Sequence, residues 1–164
     1  MKHLIFVGGT MGVGKTTVCQ LLRHQLTPSV FLDGDWCWML EPFAVTEHRK
    51  KMVTENIIFL LRQFLQDPDT EYIILCWVMH EQAIIDSLRA GVADLPHCFH
   101  SFSLICSEEG LRKRLEGDIA AGIRQPDVID RTLPRLALYP KLDTILIDAD
   151  RPPREVAADI AGCL

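Results

Sequence analysis

The chain has 164 residues, 48% of them apolar, which suits one domain with a sizeable core and excludes a disordered chain. Its net charge of −5 with histidine neutral lacks the basic surplus of a general nucleic-acid or anionic-membrane binder. The cysteines at 19, 37, 76, 98, 106 and 163 form no C-x-x-C pair and no zinc-spaced Cys/His cluster, so they read as reduced thiols, and no apolar run approaches the ~18 residues of a membrane span.

In chain order, residues 2–7 read as a first strand that runs into glycines. The apolar run from Leu4 to Val7 is too short for a signal peptide. A helix follows over about 15–26 and stops at Thr27-Pro28-Ser29. Residues 30–32 form a short buried strand, broken by Asp33-Gly34-Asp35. Thr46 caps a long helix to about Gln66, in which Val53, Ile57, Leu60, Leu61 and Phe64 recur at helical spacing. Residues 72–78 make a nearly all-apolar third strand, as in parallel sheets covered on both faces. A helix over 80–89 and a strand over 100–106 come next. Ser107 caps the following helix, whose positive end favours Glu109. Residues 144–148 form the fifth strand, and Pro153 suits the first turn of a closing helix, 154–162. The alternation predicts an α/β fold with a parallel sheet, one domain over 1–164. The less regular, arginine-bearing stretch 117–139 is expected to be a mobile lid.

Gly9-Thr10-Met11-Gly12-Val13-Gly14-Lys15-Thr16 matches G-x-x-x-x-G-K-[ST] between a strand and a helix, with Thr17 beside it. Glycines let the backbone turn its N–H groups toward anionic oxygens, and the helix aims its positive end at the same point. Lys15 can reach the β- and γ-phosphates, and the Thr16 hydroxyl can ligate Mg²⁺. The pattern predicts a nucleoside triphosphate site, with ATP and Mg²⁺ as cofactors.

In parallel α/β sheets, ligands sit beyond the carboxyl ends of the strands, where Asp33 and Asp35 fall after the second strand. One carboxylate can hold a metal-bound water while the other accepts a hydroxyl proton. An Asp-Gly turn with solvated carboxylates is the plainer alternative.

These segments, Gly9 to Thr16, Phe31-Leu32-Asp33-Gly34-Asp35 and an arginine-rich segment before a last strand ending Ile147-Asp148, resemble the small P-loop kinases of the shikimate, gluconate and adenylylsulfate kinase and chloramphenicol phosphotransferase type. The resemblance covers nearly the whole chain in element order. It implies a three-layer fold with helices on both faces of a five-stranded sheet in the order 2-3-1-4-5, ATP as donor, a lid and phosphorylation of a small molecule. By position, Asp35 is similar to the family's substrate-binding proton acceptor and Asp33 to the residue that orders Mg²⁺. Arg114 falls where an arginine meets the adenine, and Arg124 where a lid arginine meets the transferred phosphate. One departure stands out: the third strand ends Leu75-Cys76-Trp77-Val78-Met79-His80, with no carboxylate until Glu81. The metal would rest on Thr16 and Asp33, or on Glu81.

Trp36, Trp38, Asn56, Trp77, Met79 and His80 could wall an acceptor pocket of flat apolar surface with a few polar contacts. Plain core packing suits Trp38 and Trp77 equally well. Arg124 follows Gly122, a hinge candidate; Arg131 and Arg135, four apart, could share one face, and Arg131 is taken as an acceptor contact. The reading is an ATP-dependent kinase for a nucleoside-, nucleotide- or antibiotic-like acceptor. The alternative is a nucleotide-binding or regulatory NTPase without small-molecule transfer. No Asn-Lys-x-Asp segment supports a guanine-reading switch. The expected setting is the cytoplasm, as a monomer or homodimer with no nucleic-acid or membrane partner.

Overall fold

Strand β1 (His3–Gly9) is apolar on both faces: Leu4, Ile5, Phe6 and Val7 are all fully buried. Such a strand needs cover on both sides, and the computed structural model, which describes residues 1–164, supplies it. The five strands β1, β2 (Ser29–Asp33), β3 (Tyr72–Cys76), β4 (Cys98–Ile105) and β5 (Ile145–Asp148) form one sheet in the order β2-β3-β1-β4-β5. Every pairing is parallel.

Side chains alternate between two cores, as the period of a strand dictates. Ile5, Val7, Phe31, Ile74, Phe102 and Leu104 pack with Val18, Cys19 and Leu22 of α1 (Lys15–Gln25) and with Val156, Ala157 and Ile160 of α6 (Pro153–Gly162). Leu4, Phe6, Leu32, Ile73 and Leu75 face the other way. There they meet Val53, Ile57, Leu61 and Leu65 of α2 (Glu47–Gln66) and Ile85 and Leu88 of α3 (Gln82–Ala90). The helix starts follow the capping chemistry expected: Thr46 Oγ1 accepts from the Arg49 amide at 3.2 Å. Ser107 Oγ accepts from Gly110 at 3.1 Å at the head of α4 (Glu108–Ala120). No helix is long and apolar enough to cross a membrane.

Two boundaries differ from the sequence reading for one reason. β3 ends at Cys76 rather than 78, and α3 begins at Gln82 rather than 80. Between them the chain leaves the ladder: Met79 takes φ 40°, a left-handed value strained for a bulky residue. Tyr139 Oη donates to Val78 O at 2.7 Å and fixes this exit.

The stretch 117–139 has more structure than its composition promised. α4 runs into it, and α5 (Val128–Thr132) and a 3-10 segment (Leu133–Lys141) follow. Val128, Thr132 and Tyr139 are buried. The exposed run is 120–123 with 125–127, holding Gly122 at φ 73° and Ile123 at 69% exposure.

Candidate functional site

The carboxyl end of β1 opens into a glycine loop. Gly9, Gly12 and Gly14 take φ values of 149°, 77° and 101°, where a side chain would strain the backbone. Gly14 stands at the head of α1 with no side-chain cap, so the first amides of that helix are left for an anion. Lys15 Nζ bends back and donates to Thr10 O at 2.8 Å. Burial pushes its ammonium below the ordinary value, against the pull of Cys76, Asp35 and Asp33. The Thr10 hydroxyl is buried without a partner beside the same loop. The loop thus combines free donors with an under-compensated cation, an arrangement that a polyphosphate would satisfy.

The second strand delivers the acidic turn to this loop. Asp33, 8% exposed, caps the 3-10 turn Gly34–Trp38. Its Oδ1 accepts from the Asp35 amide at 3.0 Å and its Oδ2 from the Thr16 hydroxyl at 3.1 Å. Gly34 permits this turn: a Cβ there would lie 2.5 Å from Cγ of Trp77. Asp35 itself is exposed. Loss of surrounding water raises its pKa above the ordinary carboxylate value, and the like charge of Asp33 adds to the effect. Lys15, Trp77 and Arg124 pull the other way. Asp33 and Asp35 therefore share one electrostatic neighbourhood with Lys15 and Arg124. A hydroxyl against a buried carboxylate is a hard oxygen donor set of the kind that suits Mg²⁺. Cys76 Sγ, at the end of β3, lies 4.0 Å from Thr16 Oγ1. Glu81 turns instead to His80 Nε2 at 3.3 Å and is largely exposed.

The other predicted residues divide into those brought together and those kept apart. Arg114 Nη1 donates to Val13 O at 3.0 Å, and its Nη2 to Ala149 O at 2.6 Å. It lines a cavity of about 230 Å³ with Val13, Gly14, Thr17, Arg151 and Pro153. Arg124 reaches the loop, with Nη1 3.3 Å from Met11 Sδ and Nε on Asp118 Oδ2 at 2.9 Å. Arg131 does not converge: it is exposed and pairs with Asp127 at 3.1 Å. Asn56 is an exposed residue of α2 whose side chain makes no hydrogen bond within the chain.

The three tryptophans do not form one wall. Trp36, 55% exposed, stands edge-on to Phe31 on the α1 side of the sheet. Trp38 and Trp77 are half-buried against the α2 and α3 core, and Trp38 is tilted on Phe43. His80 is half-buried, with Nδ1 unpartnered. Burial lowers its pKa, Arg135 lowers it further, and Glu81 opposes both.

Sequence reasoning gave no site role to Tyr139, Ala149 and Arg151, read Arg135 only as able to share a face with Arg131, and read Pro153 only as a helix start. Their roles come from tertiary packing, and in the sequence each looks like an ordinary loop or surface residue. The consecutive prolines at 152 and 153 after Asp148 were the one local sign that the β5 exit is shaped.

Residues 5–128 match the family model described as an AAA domain. No curated protein matches the chain. Among solved structures, a sugar kinase from Janibacter sp. HTCC2649 superposes with TM-score 0.72 at 18% identity, over 99% of this chain and 93% of that one. The tunicamycin resistance protein of Deinococcus radiodurans gives TM-score 0.72 at 21% identity, over 99% and 95%. The APS kinase of Mycobacterium tuberculosis, solved with AMPPNP and APS, gives 0.66 at 16%, over 98% and 96%. At such identities the likeness is one of fold. The family match spans most of the sequence. The chain therefore belongs to the AAA domain family and has the fold of the small P-loop kinases.

Proposed function

We propose that the protein is an ATP-dependent kinase that moves the γ-phosphoryl group to a hydroxyl or phosphate of a small molecule. The observation that carries this reading is the placement of Asp33, which bonds the Thr16 hydroxyl and the Asp35 amide at once. It ties the triphosphate loop to an exposed carboxylate. A nucleotide-binding module has no use for that second carboxylate.

In the transfer, the bond from the γ-phosphorus to the β,γ-bridging oxygen breaks and a bond to the acceptor oxygen forms. Lys15 balances charge on the β- and γ-oxygens. Asp35 accepts the acceptor's hydroxyl proton, a task that its raised pKa favours. Mg²⁺ held by Thr16 and Asp33 would supply charge neutralisation at the phosphates. Trp38, Trp77 and His80 face the acceptor. The exposed run around Gly122 is the moving part of the lid, and it delivers Arg124. The fold neighbours support a small acceptor, since their names refer to a sugar, to tunicamycin and to APS. The free cysteines fit a reducing cytoplasm. We take the working unit to be a monomer or homodimer.

The test compares Asp35→Asn with Asp33→Asn across a magnesium titration, using an acceptor found by screening sugars, nucleosides, nucleotides and antibiotics. Asp35→Asn should retain ATP binding and lose ~10²–10⁴ in transfer rate at every magnesium concentration. The Asp33→Asn defect should shrink as magnesium rises. Rescue of Asp35→Asn alone would reverse the two roles, and full activity in both variants would reduce the acidic turn to a turn.

A further inference from the structure

A cavity of about 440 Å³ lies between α3 and the start of β4. Phe99, in its wall, pairs with Leu4, at the end of β1 opposite the glycine loop. Arg89, in the last turn of α3, lays its guanidinium over the Phe99 ring, 4.4 Å from the centroid. Phe99 is braced in turn, edge-on, by the fully buried Phe6. The guanidinium makes no hydrogen bond and no ion pair within the chain. Asp86 stands three residues earlier, the spacing at which a helix lets opposite charges meet. The two do not pair. Asp86 Oδ1 accepts instead from Gln82 Nε2 at 2.9 Å, and Gln82 Oε1 accepts from the Asp143 amide at 2.9 Å, which ties the carboxylate to the helix start. His97 Nδ1 donates to Leu95 O at 2.7 Å, so Nε2 is left as an acceptor on the neutral ring. Ala90 and Ala93 complete the lining with short side chains that leave the space beside the charges open.

We propose that this cavity is a binding site for a small zwitterion with the chemistry of an α-amino acid, its carboxylate on Arg89 and its ammonium on Asp86. Opposite charges that line one cavity without pairing gain little from each other. A ligand bearing the complementary pair meets both at once with charge-assisted hydrogen bonds. The Phe99 ring behind the guanidinium sets its plane, so its free N–H groups can meet a carboxylate side by side. The ammonium gains further from His97 Nε2 and from the negative end of α3. One arginine beside a carboxylate at a helix C-terminus disfavours a polyphosphate, which needs more positive charge. The volume admits a side chain as well as the charged head. Arg89 and Asp86 are exposed, so both bonds form in competition with water and the affinity should be weak, ~1 mM. Binding there needs neither ATP nor a phosphoryl acceptor, so it stands or falls apart from the kinase reading.

Saturation-transfer NMR of the parent protein with pools of the standard L-amino acids at millimolar concentration reads binding directly. The strongest binder is then titrated beside its methyl ester, which lacks the carboxylate, and its N-acetyl form, which lacks the ammonium. The parent protein should bind each derivative ~10-fold more weakly than the free amino acid. Asp86→Asn should weaken the free amino acid ~10-fold and leave the N-acetyl form unchanged. Arg89→Gln should weaken the free amino acid and the N-acetyl form and leave the methyl ester unchanged. Circular dichroism checks the folding of both variants. Asp86→Asn keeps the side-chain shape at an exposed position, so it decides the matter if Arg89→Gln disturbs the packing on Phe99. No transfer from any amino acid, a derivative that binds as tightly as the free amino acid, or affinity unchanged by Asp86→Asn overturns the proposal. Arg89 would then be only a helix-end arginine resting on Phe99.

Discussion

Arg124 joins two chemically distinct partners: its Nε is bonded to Asp118, and its Nη1 lies against Met11 of the glycine loop. It also draws down the pKa of Asp35, so its charge is felt where transfer would occur. A cation so placed acts on charge that grows during transfer more than on the bound ground state. Arg124→Ala should lower single-turnover transfer by ~10³ or more and leave ATP affinity within a few-fold. A parental single-turnover rate would make Arg124 a surface charge paired with Asp118. Arg131 and Arg135 show where one-residue reasoning stops. They lie four apart and look equivalent in sequence, yet Arg131 pairs with Asp127 while Arg135 is close enough to His80 to lower its pKa. The 3-10 segment that carries Arg135 departs from the helical spacing on which the sequence reading relied.

At the scale of elements, the 3-10 segment Leu133–Lys141 is pinned to the exit of β3. Tyr139 is fully buried, and its hydroxyl gives Val78 O a much shorter bond than the Gly9 amide, 3.4 Å away. Burial raises the phenol pKa well above its ordinary value, so the hydroxyl stays a donor. Tyr139→Phe should cost ~1–3 kcal/mol in urea unfolding, because it leaves the half-buried Val78 carbonyl with only the long bond from Gly9. It should also loosen the strained Met79 and the adjoining His80, raising KM for the acceptor more than for ATP. Unchanged stability would show that the contact does not anchor the segment. This anchoring explains why the lid expected over 117–139 contains a packed half. The apolar residues that hold it, Val128 and Tyr139, find partners distant in sequence, and no local pattern announces such contacts. Elements with a local signature were legible: the strand–glycine loop–helix unit, the caps Thr46 and Ser107, and the Asp-Gly-Asp turn all rest on chemistry within a few residues. The end of β3 and the start of α3 were not, because Met79 and Val78 are placed by β1 and Tyr139.

Over the whole molecule, the parallel sheet gathers the ends of β1, β2 and β3 at one edge, which is why motifs far apart in sequence share one site. Lys15 and Thr16 come from the β1 exit, Asp33 and Asp35 from the β2 exit, and Trp77 from the β3 exit. A kinase with this edge as its site sends the γ-phosphoryl group to a small molecule and not merely to water. The direct measurement is phosphorus NMR of the protein with ATP and magnesium, with and without pooled sugars, nucleosides, nucleotides and antibiotics, and with Lys15→Ala as the control. A kinase should give a new phosphate ester or anhydride that appears only with an acceptor pool and is absent with Lys15→Ala. Release of inorganic phosphate alone, at a rate no pool changes, would contradict it and leave a nucleotide hydrolase.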